Sequence, residues 1–195
     1  MKLPKCIPTL TIKSLDEAIV LKKIIQNTSI NIVELTLREG YCVEGIDLLL
    51  NNKDIHVGLG TIYHPDQLDG INTDKIDFIV SPGFSLELYE FTQHERILYI
   101  PGIETASEII KAINNNLMLL KFFPAEQAGG ILKLKSFREV FKNVRFMCTG
   151  GINLENYKNY LNEPNVSSVG GSFVLPKDFL NEDRVKEASN FLNKL

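Results

Sequence analysis

Tryptophan is absent from this chain, and cysteine occurs only at Cys6, Cys42 and Cys148. The odd number and the lack of any C-x-x-C pair argue against a disulfide framework or a zinc ribbon and favour free thiols in a reducing cytoplasm. No apolar run approaches the ~20 residues needed to cross a bilayer. The first residues also lack an apolar stretch of signal-peptide length, so we expect a cytoplasmic protein with no membrane partner.

The sequence also lacks an excess of either charge. It has 21 Lys and Arg residues against 24 Asp and Glu residues, a formal net charge of −3. No basic surplus indicates a nucleic-acid partner, and an anionic small substrate would need a locally positive site. With 44% hydrophobic residues the chain can bury a core, so we expect one domain spanning residues 1–195.

Short apolar runs alternate with longer amphipathic stretches. The predicted strands are CIPTLTI (6–12), INIVELTL (30–37), IHVGLG (55–60), DFIV (77–80), RILYI (96–100), LMLLKFF (117–123), VRFMC (144–148) and VSSVGG (166–171). The predicted helices cover residues 15–26, 41–51, 85–93, 105–115, 154–162 and 181–195, with a short third helix within 61–76.

This alternation implies right-handed crossovers and a parallel sheet, either open and doubly wound or closed. Eight regularly spaced units without a long insertion favour closure. We therefore predict an α/β fold, a (β/α)₈ TIM barrel with an eight-stranded closed sheet. Its chemistry should lie at the carboxyl ends of the strands.

The second predicted strand becomes polar on one face. Ile32, Glu34, Thr36 and Arg38 alternate with apolar residues, so they should point into the barrel. A buried Glu34 and Arg38 are costly unless they are paired or used in chemistry. An interior ion pair between them is the structural alternative to a functional role.

Lys121 interrupts an otherwise apolar sixth strand and shares a face with Phe123. A lysine late in a parallel barrel strand should point inward at the catalytic end, where desolvation favours the uncharged, nucleophilic amine. The structural alternative is a lysine that pairs with Glu34 or another carboxylate.

Two glycine pairs follow the last two strands. Gly150-Gly151 follows the seventh strand, and Gly170-Gly171, with Ser172 next, ends the eighth. Glycine lets backbone amides approach an anion closely, and these two loops form the usual phosphate site of the barrel. Thr61 and Pro82 end two other strands, where turn formation alone can explain them. The spacing of His56, His64 and His94 does not favour a zinc site, so we expect no metal.

The motifs taken together resemble the 2-keto-3-deoxy-6-phosphogluconate aldolase family, also called 4-hydroxy-2-oxoglutarate aldolase. The resemblance runs through nearly the whole chain and rests on VELTLR (33–38), GLGTI (58–62), SPG (81–83), IPGIET (100–105), LKFFPAE (120–126), CTGGI (148–152) and VGGSF (169–173). LKFFPAE is the most specific, because in this family it contains the Schiff-base lysine.

The resemblance implies a class I aldolase without a cofactor, acting on pyruvate and a phosphorylated aldehyde, and a homotrimer. Lys121 then corresponds to the Schiff-base nucleophile and Glu34 to the general acid/base. The remaining implied site residues bind the pyruvate carboxylate and keto group (Arg38, Thr61, Pro82, Phe123) or the phosphate (Gly150, Gly151, Gly170, Gly171, Ser172).

Three features depart from the family pattern. Glu39 stands where Thr is common, and Phe173 stands where Trp is frequent. Relatives usually carry a helix before the first strand, whereas here the strand pattern starts near residue 6, so we expect a less well closed barrel bottom. The alternatives left open are an isomerase or synthase without a covalent intermediate, and a non-catalytic barrel that binds a sugar phosphate.

Overall fold

The fold was determined as a computed structural model that describes residues 3–195. Its strands are β1 (Cys6–Leu10), β2 (Ile32–Thr36), β3 (His56–Gly60), β4 (Phe78–Val80), β5 (Leu98–Ile100), β6 (Gly102–Ile103), β7 (Leu119–Phe122), β8 (Arg145–Thr149) and β9 (Val166–Gly171). Every pairing is parallel, in the order β5-β4-β3-β2-β1-β9-β8-β7-β6.

The two ends of this order, β5 and β6, are halves of one run interrupted at Pro101. β5 pairs with β4, β6 pairs with β7, and the Lys121 amide donates to the Pro101 carbonyl at 2.8 Å. The run 98–103, which extends beyond the predicted fifth strand at 96–100, therefore joins both edges, which closes the sheet and confirms the predicted TIM barrel. The run is broken at Pro101 because proline cannot donate a ladder hydrogen bond.

The helices are α1 (Leu15–Gln26), α2 (Val43–Leu50), α3 (Leu86–Glu95), α4 (Ala106–Asn114), α5 (Gly130–Val140), α6 (Tyr157–Leu161) and α7 (Val185–Leu192). Helix α1 matches its prediction, with the Ser14 hydroxyl accepting from the Glu17 amide. Helix α5 was not predicted, because it begins at Gly129 and Gly130 without a side-chain cap. After β3 the chain forms 3₁₀ helices at Pro65–Leu68 and Thr73–Lys75 instead of an α-helix.

Apolar residues form two cores, inside and outside the barrel wall. Outward residues of the strands pack under the helices, as Cys148 and Phe122 do. The interior is filled by a small cluster: Ile7, Ile32, Phe78, Val80, Ile100 and Met147. Side chains alternate along each strand. Residues that follow this interior cluster at intervals of two along the same strands therefore also face inward, nearer the carboxyl end.

The amino-terminal end of the barrel carries a cavity of about 800 Å³, with Leu3, Met118 and Leu119 among its lining residues. Among residues 3–195, no helix has both the length and the apolar character needed to cross a bilayer.

Candidate active site

A second cavity, of about 420 Å³, opens at the carboxyl ends of the strands. It is the only one of the two that combines an amine, a carboxylate and glycine loops. Its lining residues come from β1, β2, β7, β8, β9 and the loops that follow: Thr9, Leu10, Thr11, Lys13, Glu34, Thr36, Arg38, Lys121, Phe123, Thr149, Gly150, Gly151, Ile152, Gly170, Gly171, Ser172, Leu175 and Lys177.

Lys121 lies in the wall of this cavity on the inward face of β7. Leu119, on the same face, packs against the interior cluster, whereas Leu120 and Phe122 belong to the outer core. The Lys121 side chain is buried, and its Nζ lies 4.9 Å from the centre of the Phe123 ring. The ring covers the amine while the cavity leaves it reachable, which suits a nucleophile shielded from bulk water.

Glu34 is the acid opposite this amine. It is fully buried, and its Oε1 lies 3.6 Å from Lys121 Nζ. Glycine at position 60 makes room for it, because a Cβ there would lie 2.2 Å from Oε1. The ion pair considered as a structural alternative for Lys121 is thus present. Both partners line the cavity, however, so they lie beside the space that a ligand would occupy.

Arg38 is exposed at the rim of the cavity, two residues beyond the end of β2. The interior ion pair between Arg38 and Glu34 does not form among the described residues, since Glu34 pairs with Lys121. The strand ends at Thr36, which frees the Arg38 side chain to reach solvent.

The two glycine loops form another wall. Gly150 and Gly151 have φ values of 96° and 78°, and a Cβ on Gly150 would lie 2.8 Å from Pro124 Cα, so only glycine fits there. The Gly150 carbonyl accepts from the Glu126 amide at 3.1 Å. The Gly151 carbonyl accepts from Asn156 Nδ2 at 3.2 Å. The loop that contains Gly150 and Gly151 is therefore held by its carbonyls.

Gly170, Gly171 and Ser172 bring the second loop to the same cavity. Gly170 is constrained by space rather than by φ, because a Cβ there would lie 3.0 Å from Thr149 Cγ2 and 3.1 Å from Thr9 Oγ1. Phe173, one of the departures from the family pattern, lies beneath this loop and packs on Tyr157 with 5.8 Å between ring centres.

Two predicted site residues, Thr61 and Pro82, do not contribute to the lining of the cavity. Thr61 follows β3 with a φ of 65°, and its carbonyl accepts from Gln67 Nε2 at 3.2 Å. Pro82 is exposed after β4, and its carbonyl lies where a Cβ on Gly102 would need to be, at 2.1 Å. Both residues lie at the carboxyl end of the barrel but beside the cavity.

The Pro82 loop is held from the outer side of β5 by a buried hydrogen-bond network. The Ser81 hydroxyl and the Tyr99 hydroxyl lie 2.9 Å apart, and the Ser85 amide donates to Tyr99 at 3.1 Å. Burial raises the pKa of Tyr99, so this phenol stays protonated and can keep its donor role.

A second phenol supports the turn after β7. Tyr160, fully buried, donates to Glu126, the residue that ends the LKFFPAE motif. Burial, and next the hydrogen bond to Glu126, raise the pKa of Tyr160. The motif therefore contributes scaffolding as well as Lys121.

Several cavity residues were not singled out from the sequence. They are polar residues of the inward strand faces or cations of the loops: Thr9, Thr11, Thr149, Lys13 and Lys177. Strand alternation offered a signal for Thr9 and Thr11, because they follow Ile7 at intervals of two residues in CIPTLTI. The two lysines gave no such signal, since exposed loop lysines are common.

The lining carries more positive than negative charge. Lys13, Arg38, Lys121 and Lys177 face a single acidic residue, Glu34. The chain as a whole has a net charge of −3, so this is the locally positive site that an anionic substrate requires. No group of three or more potential metal ligands occurs among residues 3–195.

Comparison with known proteins places this geometry in a family. The family model described as KDPG and KHG aldolase matches residues 1–190. The chain belongs to the KDPG and KHG aldolase family. It is 37% identical over 175 residues to 2-dehydro-3-deoxy-phosphogluconate aldolase from Dickeya dadantii. The aligned region covers 89% of this chain and 82% of that protein.

Solved structures of family members share the fold. One is KDPG aldolase from Legionella pneumophila, solved with pyruvate captured at low pH as a covalent carbinolamine intermediate. Its superposition on this chain gives a TM-score of 0.90 and 35% sequence identity, and covers 97% of this chain and 92% of that one. The Zymomonas mobilis ZM4 enzyme, solved with 3-phosphoglycerate, gives a TM-score of 0.89 and 30% identity over 99% and 91%.

Proposed function

We propose that this protein is a class I aldolase that cleaves 2-keto-3-deoxy-6-phosphogluconate to pyruvate and glyceraldehyde 3-phosphate through a Schiff base on Lys121. The observation that carries the proposal is a buried amine 3.6 Å from a buried carboxylate, in a cavity that also holds two glycine loops. Family membership supports it, as does the covalent pyruvate carbinolamine of the Legionella enzyme.

Lys121 first passes a proton to Glu34, and its free amine then attacks the keto carbon of the substrate to form a carbinolamine. Glu34 returns that proton to the carbinolamine hydroxyl, which leaves as water. The resulting protonated Schiff base can accept the electron pair of the bond that breaks. Glu34 removes the proton from the hydroxyl two carbons away, the carbon–carbon bond breaks, and an enamine of pyruvate remains. Glyceraldehyde 3-phosphate leaves as the aldehyde. Protonation of the enamine and hydrolysis of the Schiff base then release pyruvate.

The remaining residues are proposed to hold the two anionic ends of the substrate. Arg38 can meet the carboxylate with two parallel hydrogen bonds, and Phe123 covers the carbon atoms beside Lys121. Thr61 and Pro82 border the same end of the barrel and would complete this subsite after a small movement of their loops. Gly150, Gly151, Gly170, Gly171 and Ser172 would bind the phosphate through backbone amides and a hydroxyl.

Borohydride reduction in the presence of pyruvate tests the proposal directly. We expect the intact mass to increase by one reduced pyruvate adduct, with the modified peptide containing Lys121. Lys121→Ala should show no adduct while keeping its circular dichroism spectrum. A wild-type protein without an adduct would instead favour the isomerase, the synthase or the non-catalytic phosphate-binding barrel.

The same site can accept 4-hydroxy-2-oxoglutarate as a second substrate, because the carbon–carbon bond to be cleaved has the same neighbours. That substrate lacks a phosphate, so the glycine loops would contribute less to its binding. Comparison of kcat/KM for the two substrates in a lactate dehydrogenase-coupled assay measures this preference. A higher value for the unphosphorylated substrate would overturn the assignment of the physiological substrate.

We further propose that the chain acts as a homotrimer in the cytoplasm. The trimer follows from the family resemblance, and light scattering after size-exclusion chromatography tests it. The cytoplasmic assignment is supported by three free cysteines, two of them buried, which suit a reducing compartment.

A further inference from the structure

Thr9 contacts the acid of the proposed mechanism from the neighbouring strand. Thr9 and Glu34 are partners in the register of β1 and β2, and both face the barrel interior. The Thr9 hydroxyl lies 3.3 Å from Glu34 Oε2 and also 3.3 Å from the Ile7 carbonyl. It therefore has two acceptors within reach and one proton to donate.

This contact makes the two oxygens of Glu34 unequal. Oε2 accepts from Thr9, whereas Oε1 is buried without a hydrogen-bond partner among residues 3–195 and lies 3.6 Å from Lys121 Nζ. A buried carboxylate oxygen with no donor is costly unless a ligand or proton completes it. Oε1 is thus the oxygen placed to exchange a proton with a molecule bound on Lys121.

Two glycines hold this arrangement in place. A Cβ at Gly60 would lie 2.2 Å from Glu34 Oε1, so the carboxylate occupies the space that a side chain would take. A Cβ at Gly170 would lie 3.1 Å from Thr9 Oγ1. Close packing on both sides leaves the carboxylate little room to turn, with Oε2 bonded to the Thr9 hydroxyl and Oε1 facing Lys121.

We propose that Thr9 is a positioning residue for proton transfer by Glu34, an inference that rests on the proposed aldolase function. When Glu34 is ionised, the Thr9 hydroxyl donates to Oε2 and keeps Oε1 directed toward the Schiff base. When Oε1 takes a proton from the substrate, the charge on the carboxylate is lost, and the Thr9 hydroxyl can donate to the Ile7 carbonyl instead. The hydroxyl hydrogen thus changes acceptor without any proton being gained or lost by Thr9.

The exchange of pyruvate methyl hydrogens isolates this step. On the pyruvate Schiff base, Glu34 Oε1 takes a methyl proton, the C–H electron pair forms the enamine double bond, and the iminium nitrogen becomes neutral. Return of a deuteron from heavy water replaces hydrogen by deuterium, which proton NMR follows. Borohydride trapping of the same mixture measures formation of the Schiff base, which does not require this transfer.

The variants are Thr9→Val, which keeps the shape without the hydroxyl, and Thr9→Ser, which keeps the hydroxyl. Thr92→Val is the matched control, because Thr92 is a buried threonine of α3 whose hydroxyl donates to the Tyr89 carbonyl at 2.8 Å, away from the cavity. If Thr9→Val is not folded by circular dichroism, Thr9→Ala is measured in its place.

For Thr9→Val we expect deuterium exchange to slow by roughly tenfold, the effect of losing one hydrogen bond to a charged group, while trapping at saturating pyruvate is retained. Thr9→Ser should exchange within about threefold of wild type, and Thr92→Val within about twofold.

Exchange by Thr9→Val at the wild-type rate would overturn the inference. A Thr9→Ser variant as slow as Thr9→Val would also overturn it, because the hydroxyl would then not be responsible. Equal loss of trapping and exchange in Thr9→Val would reject it too, since Thr9 would then act on Lys121 rather than on Glu34. If the wild-type protein itself traps no pyruvate, the aldolase proposal fails, a result distinct from each of these.

Discussion

Lys121 Nζ lies 3.6 Å from Glu34 Oε1, and both side chains are almost completely buried. The two residues come from β7 and β2, which are not neighbours in the sheet, so their side chains meet across the barrel interior. Each charge offsets the desolvation of the other. The pair therefore couples the stability of the barrel to the chemistry of its site.

Removal of one partner should destabilise the fold more than removal of both. We expect Lys121→Met to lower the free energy of unfolding by about 3 kcal/mol, because Glu34 is left as an uncompensated buried charge. The double variant Lys121→Met/Glu34→Gln should recover most of this loss. Urea unfolding of the two single variants and the double variant measures the coupling, and strictly additive losses would contradict it.

Glu34→Gln separates the two halves of the proposed reaction. The amide cannot take a proton from the substrate, so we expect kcat to fall by about 100-fold or more. Lys121 should still form an adduct with pyruvate, only more slowly. Steady-state kinetics and borohydride trapping measured on the same preparation test this, and an unchanged kcat would remove Glu34 from the mechanism.

Gly60→Ala should disturb the site by steric overlap alone. Its Cβ would lie 2.2 Å from Glu34 Oε1, and we expect a loss of stability of about 2 kcal/mol as the carboxylate is displaced. Gly83→Ala is the control for stability, because a Cβ there meets nothing within 4 Å. Thermal unfolding of both variants gives the comparison; equal melting temperatures would show that the interior of the barrel adjusts freely.

Gly171→Ala tests the second glycine loop. A Cβ there would lie 3.0 Å from the Phe173 ring, which can move, so the variant should fold while its amide is less accessible to a phosphate. We expect KM to rise roughly tenfold for the phosphorylated substrate, as for loss of a hydrogen bond to a charged group. KM for 4-hydroxy-2-oxoglutarate should change much less. Equal changes for both substrates would argue against a phosphate role.

The buried thiol of Cys6 predicts a loss of stability at alkaline pH. Burial raises its pKa from 9.0 to about 11, so the unfolded chain loses this proton before the native protein does. The stabilisation is complete below pH 9 and is lost as the pH rises through 11. Burial raises the pKa of Cys148 as well, with the same sign.

Urea unfolding at pH 8 and pH 11 measures this effect, with Cys6→Ala as the comparison. Other groups titrate in the same range, so the difference between the two proteins isolates Cys6. We expect the loss of unfolding free energy between the two pH values to be smaller by about 2 kcal/mol in Cys6→Ala. Parallel losses in both proteins would contradict the shifted pKa.

The sequence predicted much of the fold because the barrel is built from local patterns. Strand β9 and helix α1 match their predicted bounds, and the alternation in LMLLKFF correctly directs Lys121 to the interior. Helix α5 was missed because its first turn has no side-chain cap. The break at Pro101 could have been anticipated from the missing amide, but the two separate pairings on either side depend on which strands meet there.

The sequence by itself determined the alternation of strands and helices, the inward side of β2 and β7, and the chemical character of Lys121, Glu34 and the glycine pairs. Only the tertiary structure decided which side chains of the site contact one another. It paired Glu34 with Lys121 rather than with Arg38, placed Thr9 on Glu34, and left Thr61 and Pro82 beside the cavity. The physical reason is that alternation is a property of one strand, whereas a contact depends on the register between strands and on the space that residues such as Gly60 leave empty.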